Sequence, residues 1–208
     1  VLNTTGTVTF SNNKALAIGE NDQSNGGALY IESIKSAVFE NVNFTGNSSK
    51  TRGGAIYNGD TQLAINGKAV FEGNSSARGG AIYNYEYNNA ATVSTGTGSE
   101  FSRNEALENG GAIANFDGTI NVGTNNSFTE NKATNNDGAI YNANYSKTAE
   151  TNIAGGTTFN KNEAGKGGAI YNSGTVKLNT SEGNITFSEN TANSGKDIYL
   201  DGETSQVL

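Results

Sequence analysis

The stretch Gly-Gly-Ala-Ile-Tyr-Asn at residues 53–58 returns unchanged at 79–84 and 167–172. Close variants stand around these copies: GGALYI at 26–31, GGAIAN at 110–115, DGAIYN at 137–142 and GKDIYL at 195–200. A motif rewritten at such intervals marks an array of stacked units, in which one unit cannot bury its apolar face alone and neighbours bury it for each other. Phe-x-x-Asn is a second motif in the same phase. It begins at Phe10, Phe44, Phe71, Phe101, Phe128, Phe159 and Phe187, spaced 34, 27, 30, 27, 31 and 28 residues apart, and so fills the chain. The glycine motif follows each Phe by 8 or 9 residues, except in the first repeat, where the interval is 16.

The content of each unit decides between array types. No window carries the i, i+3, i+4, i+7 apolar spacing of a helix, and Asn, Gly, Thr and Ser are weak helix interiors. A third apolar segment lies between hexapeptide and next Phe, as QLAI around Leu63 and Ile65, TINV around Ile120 and Val122, and TVKL around Val176 and Leu178. Three short strands with turns between them form the coil of a parallel β-helix. Propeller blades need four strands in roughly 40 or more residues, and there is no leucine ladder. The expected fold is all-β, a right-handed, single-stranded parallel β-helix (solenoid) of about seven coils over residues 1–208, with the handedness taken from the preference of parallel crossovers.

In such a stack each residue sits over its equivalent at about 4.8 Å, so columns of equivalent positions read as core or surface, and seven coils make a rod on the order of 34 Å long. The Phe column never varies, and Leu29, Ile56, Ile82, Ile113, Ile140, Ile170 and Ile198 are always aliphatic. Both columns are expected inside. Strand alternation then points the hexapeptide Ala and Tyr outward, making the Tyr column a surface. Paired glycines such as Gly53 and Gly54 suit a tight corner. Asn13, Asn47, Asn74, Asn104, Asn131, Asn162 and Asn190 are expected to bond up the stack as one ladder, and Asn58, Asn84, Asn115, Asn142 and Asn172 as a second. Two residues after each Phe the chain reads Arg103, Glu130, Lys161 and Glu189, an alternating stripe. The longer first repeat, ALAIGENDQSN, reads as a cap or as an inserted loop.

Composition narrows the function classes. The chain has 28 Gly and 33 Asn but no Pro, Cys, Met, Trp or His, and a net charge of -7. An acidic chain without a basic stripe argues against nucleic acid as a partner. The opening residues VLNTTGTVTF carry no basic n-region or apolar h-region, so the chain is expected to be a mature or excised segment.

The paired motifs GGA[I/L] and Phe-x-x-Asn, repeated in step, resemble the repeat of the chlamydial polymorphic membrane proteins. The resemblance covers essentially the whole chain. It implies the passenger segment of an autotransporter, a β-helix displayed outside the cell on the outer membrane, part of a larger surface protein, and used in adhesion without catalysis. The implied partner is a protein or glycan on a host or neighbouring cell, with membrane contact only through other parts of the parent protein. The hexapeptide departs from the repeat at Lys196 and Asp197.

The same fold class also hosts polysaccharide lyases and hydrolases, which makes an enzyme of that type the alternative. With no His, no Cys and three Arg, the acid–base and nucleophile sets are thin. Arg52, Arg78 and Lys166 share one column, and Asp60, Asp117 and Asp137 lie in nearby coils. Neither a metal loop nor a cofactor motif is present, so no metal and no cofactor are expected. Binding is expected instead at loops. From the hexapeptide Asn to the next strand two repeats use five residues, Asn58 to Leu63 and Asn115 to Ile120, whereas the third and fifth use nine. The longer loops add Tyr85, Tyr87 and Tyr145, and with Phe116 from the coil between they are expected to make one aromatic corner.

Overall fold

The computed structural model describes residues 2–17 and 23–208, and among them all regular structure is β-strand. Parallel strands stack into four sheets, of eight, seven, seven and seven strands, so the chain winds through six to seven turns of a β-helix. Each turn visits the sheets in the same order, as one example shows. Gln62–Ile65 belongs to the eight-stranded linking sheet, Ala69–Glu72 to the phenylalanine sheet, Ser75–Arg78 to a short sheet and Ile82–Tyr85 to the hexapeptide sheet. Four strands per turn replace the three expected. The extra one was hidden because its segments, such as Ser75–Arg78, Glu105–Asn109 and Glu163–Lys166, are short and polar, with only a small residue such as Ser76 or Ala106 turned inward. Of the long first repeat ALAIGENDQSN, read as a cap or an inserted loop, residues 18–22 lie outside the described residues.

Register is strict. Phe44 pairs with Phe71, Phe71 with Phe101, Ile82 with Ile113, and Leu63 with Val93. Seven phenylalanine rings therefore stack face to face, with centroids 4.7–5.0 Å apart and planes within 9°. Phe44, Phe71, Phe101, Phe128 and Phe159 are fully buried, as are Ile56, Ile82, Ile113, Ile140 and Ile170. Burying a side chain of this size contributes about 1.5–3 kcal/mol, and the linking sheet adds Leu63, Ile65, Val93, Ile120 and Ile153 to the same core.

Asparagine closes the corner after the phenylalanine strand. Asn104 Nδ2 donates to Phe71 O at 2.9 Å and to Asn131 Oδ1 at 3.0 Å, while its own Oδ1 accepts from Asn74 N and Nδ2 at 3.0 and 2.9 Å. The pattern repeats from Asn47 to Asn190, and Asn47, Asn74, Asn104, Asn131 and Asn162 are wholly buried. At Asn190 the ladder ends on a different acceptor, Asp197 Oδ1 at 2.9 Å. The irregular GKDIYL copy thereby keeps its register, with Ile170 over Ile198 and Tyr171 over Tyr199. A second ladder links Asn58, Asn84, Asn115, Asn142 and Asn172 at 2.7–2.8 Å. It starts at Asn58 because Ile31 occupies the rung before, which leaves Asn58 Oδ1 without a partner, and stops where Leu200 follows Asn172.

The residue just before each first-ladder Asn has positive φ: Asn12, Gly46, Gly73, Arg103, Glu130, Lys161 and Glu189 at 52–65°. The column read as a charge stripe is thus a left-handed turn position. Of its charges, Lys161 reaches Glu189 at 3.8 Å, whereas Arg103 pairs with Glu72. The first hexapeptide glycine also sits at positive φ, for example 64° at both Gly53 and Gly79, and one coil places Asp137 there at 64°. The second glycine answers a different need. A Cβ on Gly80 would stand 2.1 Å from Gly111 O and 2.7 Å from the Glu105 backbone.

The expected outward exposure of the hexapeptide Ala and Tyr is corrected. The alanines lie at the start of the motif, before the strand begins, and Ala55, Ala81, Ala112, Ala139 and Ala169 are fully buried in the main core. The tyrosines do point away from that core, yet Tyr57, Tyr83 and Tyr171 are only 5–7% exposed. They stack on each other as a second apolar strip, at 4.7 Å for Tyr30 on Tyr57 and 5.6 Å for Tyr57 on Tyr83. Burial is the main cause that pushes the hydroxyls of Tyr57, Tyr83 and Tyr141 up to about 12. They remain neutral donors at any ordinary pH.

Candidate functional site

The tyrosine strip is interrupted once. Ala114 stands where the neighbouring rungs have Tyr83 and Tyr141, and Phe116, two residues on and on the same side of the strand, closes the gap. Its ring lies 5.3 Å from Tyr83 and 5.2 Å from Tyr141. Tyr85 is in register with Phe116, so the interruption moves aromatic surface outward toward the corner where the hexapeptide strand leaves its sheet.

At that corner, short and long loops alternate, and each long loop is held by an aspartate from the short loop one rung earlier. Asp60 accepts the backbone N–H groups of Tyr87 at 2.7 Å and Asn88 at 3.0 Å. Asp117 accepts those of Tyr145 at 2.5 Å, Ser146 at 2.9 Å and Lys147 at 3.0 Å, and also the Ser146 hydroxyl at 2.8 Å. Both aspartates are nearly buried and sit at positive φ, 49° and 61°. Aspartate tolerates that backbone region and offers two oxygens to a loop that would otherwise leave its donors unpaired. A Lys147–Glu86 pair at 2.9 Å then ties the two long loops to each other across the intervening rung.

Between these loops lies an open groove of about 260 Å³ lined by Arg52, Arg78, Tyr83, Tyr85, Phe116 and Tyr145. Three of the four aromatics singled out from the sequence, Tyr85, Phe116 and Tyr145, therefore line one groove. Tyr87 stands on its flank, its ring 6.1 Å from that of Tyr85. Tyr87 and Tyr145 are 67% and 81% exposed, on backbone that is pinned. Phe116 and Tyr85 are half-buried. Burial raises the Tyr85 hydroxyl above its ordinary value, and the nearby carboxylate of Asp117 adds to this.

Sequence reasoning did not place the arginines in the groove. Arg52 and Arg78 occupy the column before the glycines and face each other on adjacent rungs. Their one sequence signal was that shared position. The Arg52 guanidinium lies 5.4 Å above the Tyr83 ring, where the negative face of the ring favours a cation. Its Nη1 donates to Gln23 Oε1 at 2.7 Å, but its Nε is buried without a partner among the described residues. Arg78 Nε donates to Glu108 Oε2 at 2.6 Å.

The carboxylates weighed for catalysis have other occupations. Asp60 and Asp117 are committed to loop N–H groups, Asp137 is fully buried in the glycine corner, and Lys166 lies 5.0 Å over Tyr199, away from the groove residues. Among the described residues no three His, Cys, Asp or Glu side chains come together as a metal site, and no helix is long and apolar enough to cross a membrane.

Residues 7–32, 41–59, 68–85 and 156–173 match the model of the Chlamydia polymorphic membrane protein (Chlamydia_PMP) repeat. Each matched stretch runs from the phenylalanine strand or the turn before it to the hexapeptide. Neither a curated protein nor a solved structure matches the chain. The unmatched residues 86–155 contain two of the variant hexapeptides, with Ala114 and Asp137, and also Phe116, Tyr145 and both partners of the pair that ties the loops. The Phe, Asn and Gly positions hold the same structural roles from rung to rung, and the chain is a solenoid in which four stretches, together under half of its length, match the Chlamydia polymorphic membrane protein repeat.

Proposed function

We propose that this solenoid is a cell-surface passenger segment that acts by attachment and without catalysis, displayed outside the cell on a larger outer-membrane protein. Its attachment site is the corner of Tyr85, Tyr87, Phe116 and Tyr145, and its partner is a protein or glycan on a host or neighbouring cell. One observation carries the site: two loops with exposed tyrosines are held on pinned backbone by Asp60 and Asp117, and stand over a groove lined by aromatic and cationic side chains. Ordering the loops beforehand removes an entropic cost that binding would otherwise meet, and tyrosine is a favoured contact residue at interfaces. The repeat, which the chain shares with chlamydial surface proteins, supports the location.

The test is saturable binding of the fluorescently labelled chain to host cells, compared with a Tyr85→Ser, Tyr87→Ser, Tyr145→Ser triple variant. Phe116 is left in place because it completes the buried strip. Loss of at least tenfold in affinity with an unchanged thermal midpoint is the expected result. Equal binding by the variant would remove the corner from the reading, and absence of saturable binding by the parent chain would remove attachment itself.

A further inference from the structure

Two arginines line the groove and no carboxylate does. Guanidinium groups on adjacent rungs of a parallel sheet repel one another, and like charges directly opposite are destabilising. Glu108 answers Arg78. For Arg52 the described residues offer only the neutral Gln23 and the face of Tyr83, and its Nε is buried with no acceptor. In a chain of net charge -7, seven of the thirteen Lys and Arg side chains have a carboxylate partner among the described residues, and Arg52 is one of the six that do not. That Nε is out of a ligand's reach, but the rest of the guanidinium, held over Tyr83 in the groove lining, can pair with something in the groove.

The surroundings narrow what that something is. Tyr145 and Tyr87 present exposed rings, and Tyr83, Tyr85 and Phe116 line the floor and wall, so the ligand has a flat apolar face to lay against them. Neutral tyrosine hydroxyls offer hydrogen bonds to hydroxyl groups at its rim. The arginine fork matches a planar carboxylate. One carboxylate on a sugar ring asks for one guanidinium that lacks a carboxylate partner, which Arg52 supplies among the described residues. We propose that the groove binds a carboxylate-bearing pyranose, a hexuronic-acid-type residue of a glycan, with Arg52 as its ion partner and Tyr145 and Tyr85 against the ring. This rests on the attachment reading above and adds the chemistry of the ligand.

The experiment titrates the whole chain with galacturonic-acid oligomers, their carboxyl-reduced galactose counterparts, sulfated oligosaccharides of the same length and a glutamate-rich peptide. The expected result is saturable binding of the uronic oligomer, at least tenfold weaker for the reduced form and for Arg52→Met, intermediate for Arg52→Lys, and weakened by raising NaCl from 50 to 500 mM, concentrations of the order that span strong and weak screening. Arg103→Met, on the far corner and paired with Glu72, should bind as the parent chain does. Thermal melts of each variant separate loss of binding from loss of fold, with Arg52→Lys as the conservative control. Equal binding of the reduced oligomer, preference for the sulfated one or for the peptide, or indifference to Arg52→Met in a folded variant would overturn the assignment. If labelled chain still binds cells through the tyrosines while uronic oligomers neither bind nor compete, the ligand chemistry falls and the attachment reading stands.

Discussion

Two corners of the same coil follow opposite rules. After the phenylalanine strand, the chain turns through a left-handed residue and an asparagine in all seven rungs, and each asparagine from Asn47 to Asn162 bonds to its own equivalents above and below. After the hexapeptide strand the inner asparagine repeats in five rungs, but the loop outside it alternates in length, and its partner is a different residue type one rung away, Asp60 or Asp117. Where a residue bonds to copies of itself, a change in one rung breaks three, so the corner is held constant. Where the partner is an unlike residue, a loop and its anchor can change together, and that is where this molecule places its aromatic groove.

The largest effect should come from the close approach inside the glycine corner. Gly80→Ala drives a Cβ against Gly111 O and the Glu105 backbone, neither of which can yield without breaking register. The expected cost is about 4 kcal/mol or more, enough to abolish cooperative folding in urea. A folded variant within about 1 kcal/mol of the parent would show that the corner has slack.

Asn104→Ala comes next, because it removes two donated and two accepted bonds from a site with no access to water. A loss of about 3 kcal/mol is expected from urea titration, since the stranded partners keep their desolvation penalty. Asp117→Ala is the matching change at the variable corner and should cost only about 1 kcal/mol. Its signature is local: faster amide exchange at Tyr145, Ser146 and Lys147, with the exchange of Phe101 and Phe128 unchanged. Equal global costs for the two substitutions would erase the contrast between the corners.

Asp137 tests the glycine corner in the opposite direction. It holds a glycine position at φ 64°, and both carboxylate oxygens are buried with no partner. Burial pushes its pKa well above the ordinary carboxylate value. Because the folded pKa lies above the unfolded one, the fold is most favoured below the unfolded value, about 4, and loses stability as pH rises toward and through the folded value. Asp137→Gly should therefore stabilise the chain by about 2 kcal/mol at pH 7.5 through lost strain and lost burial of a polar group, with a smaller gain at pH 4. A gain independent of pH would leave only the backbone contribution. This is an expected improvement smaller in size than the Asn104 loss, and larger than the Asp117 one.

Much of this architecture was readable because repetition exposes it. Phe-x-x-Asn and the hexapeptide marked the coil, and column identity marked which residues stack. The fourth strand was not readable, since Ser75–Arg78 and its equivalents bury one small side chain each and carry no apolar period. Tyrosine burial was missed for a different reason. Strand alternation gives the direction of a side chain but not what covers it, and the rings of Tyr57 and Tyr83 are covered by their own neighbours, with Arg52 lying over that of Tyr83. In the groove, loop length pointed to Tyr85, Tyr87 and Tyr145, whereas the arginines come from the other end of the hexapeptide, Arg78 in the same repeat as Tyr85 and Arg52 in the rung before.

The sequence by itself determined the period, the stacked columns and the parallel β-helix, because in a solenoid equivalent residues must meet and their chemistry is visible in one dimension. Only the tertiary structure decided which unlike residues meet. Asp60 beneath Tyr87, Asp117 beneath Tyr145, Phe116 in place of the ring missing at Ala114, and Arg52 over Tyr83 are contacts between different columns on adjacent rungs. Their partners are set by the lateral distance between corners of the coil, a length that no repeat spacing records.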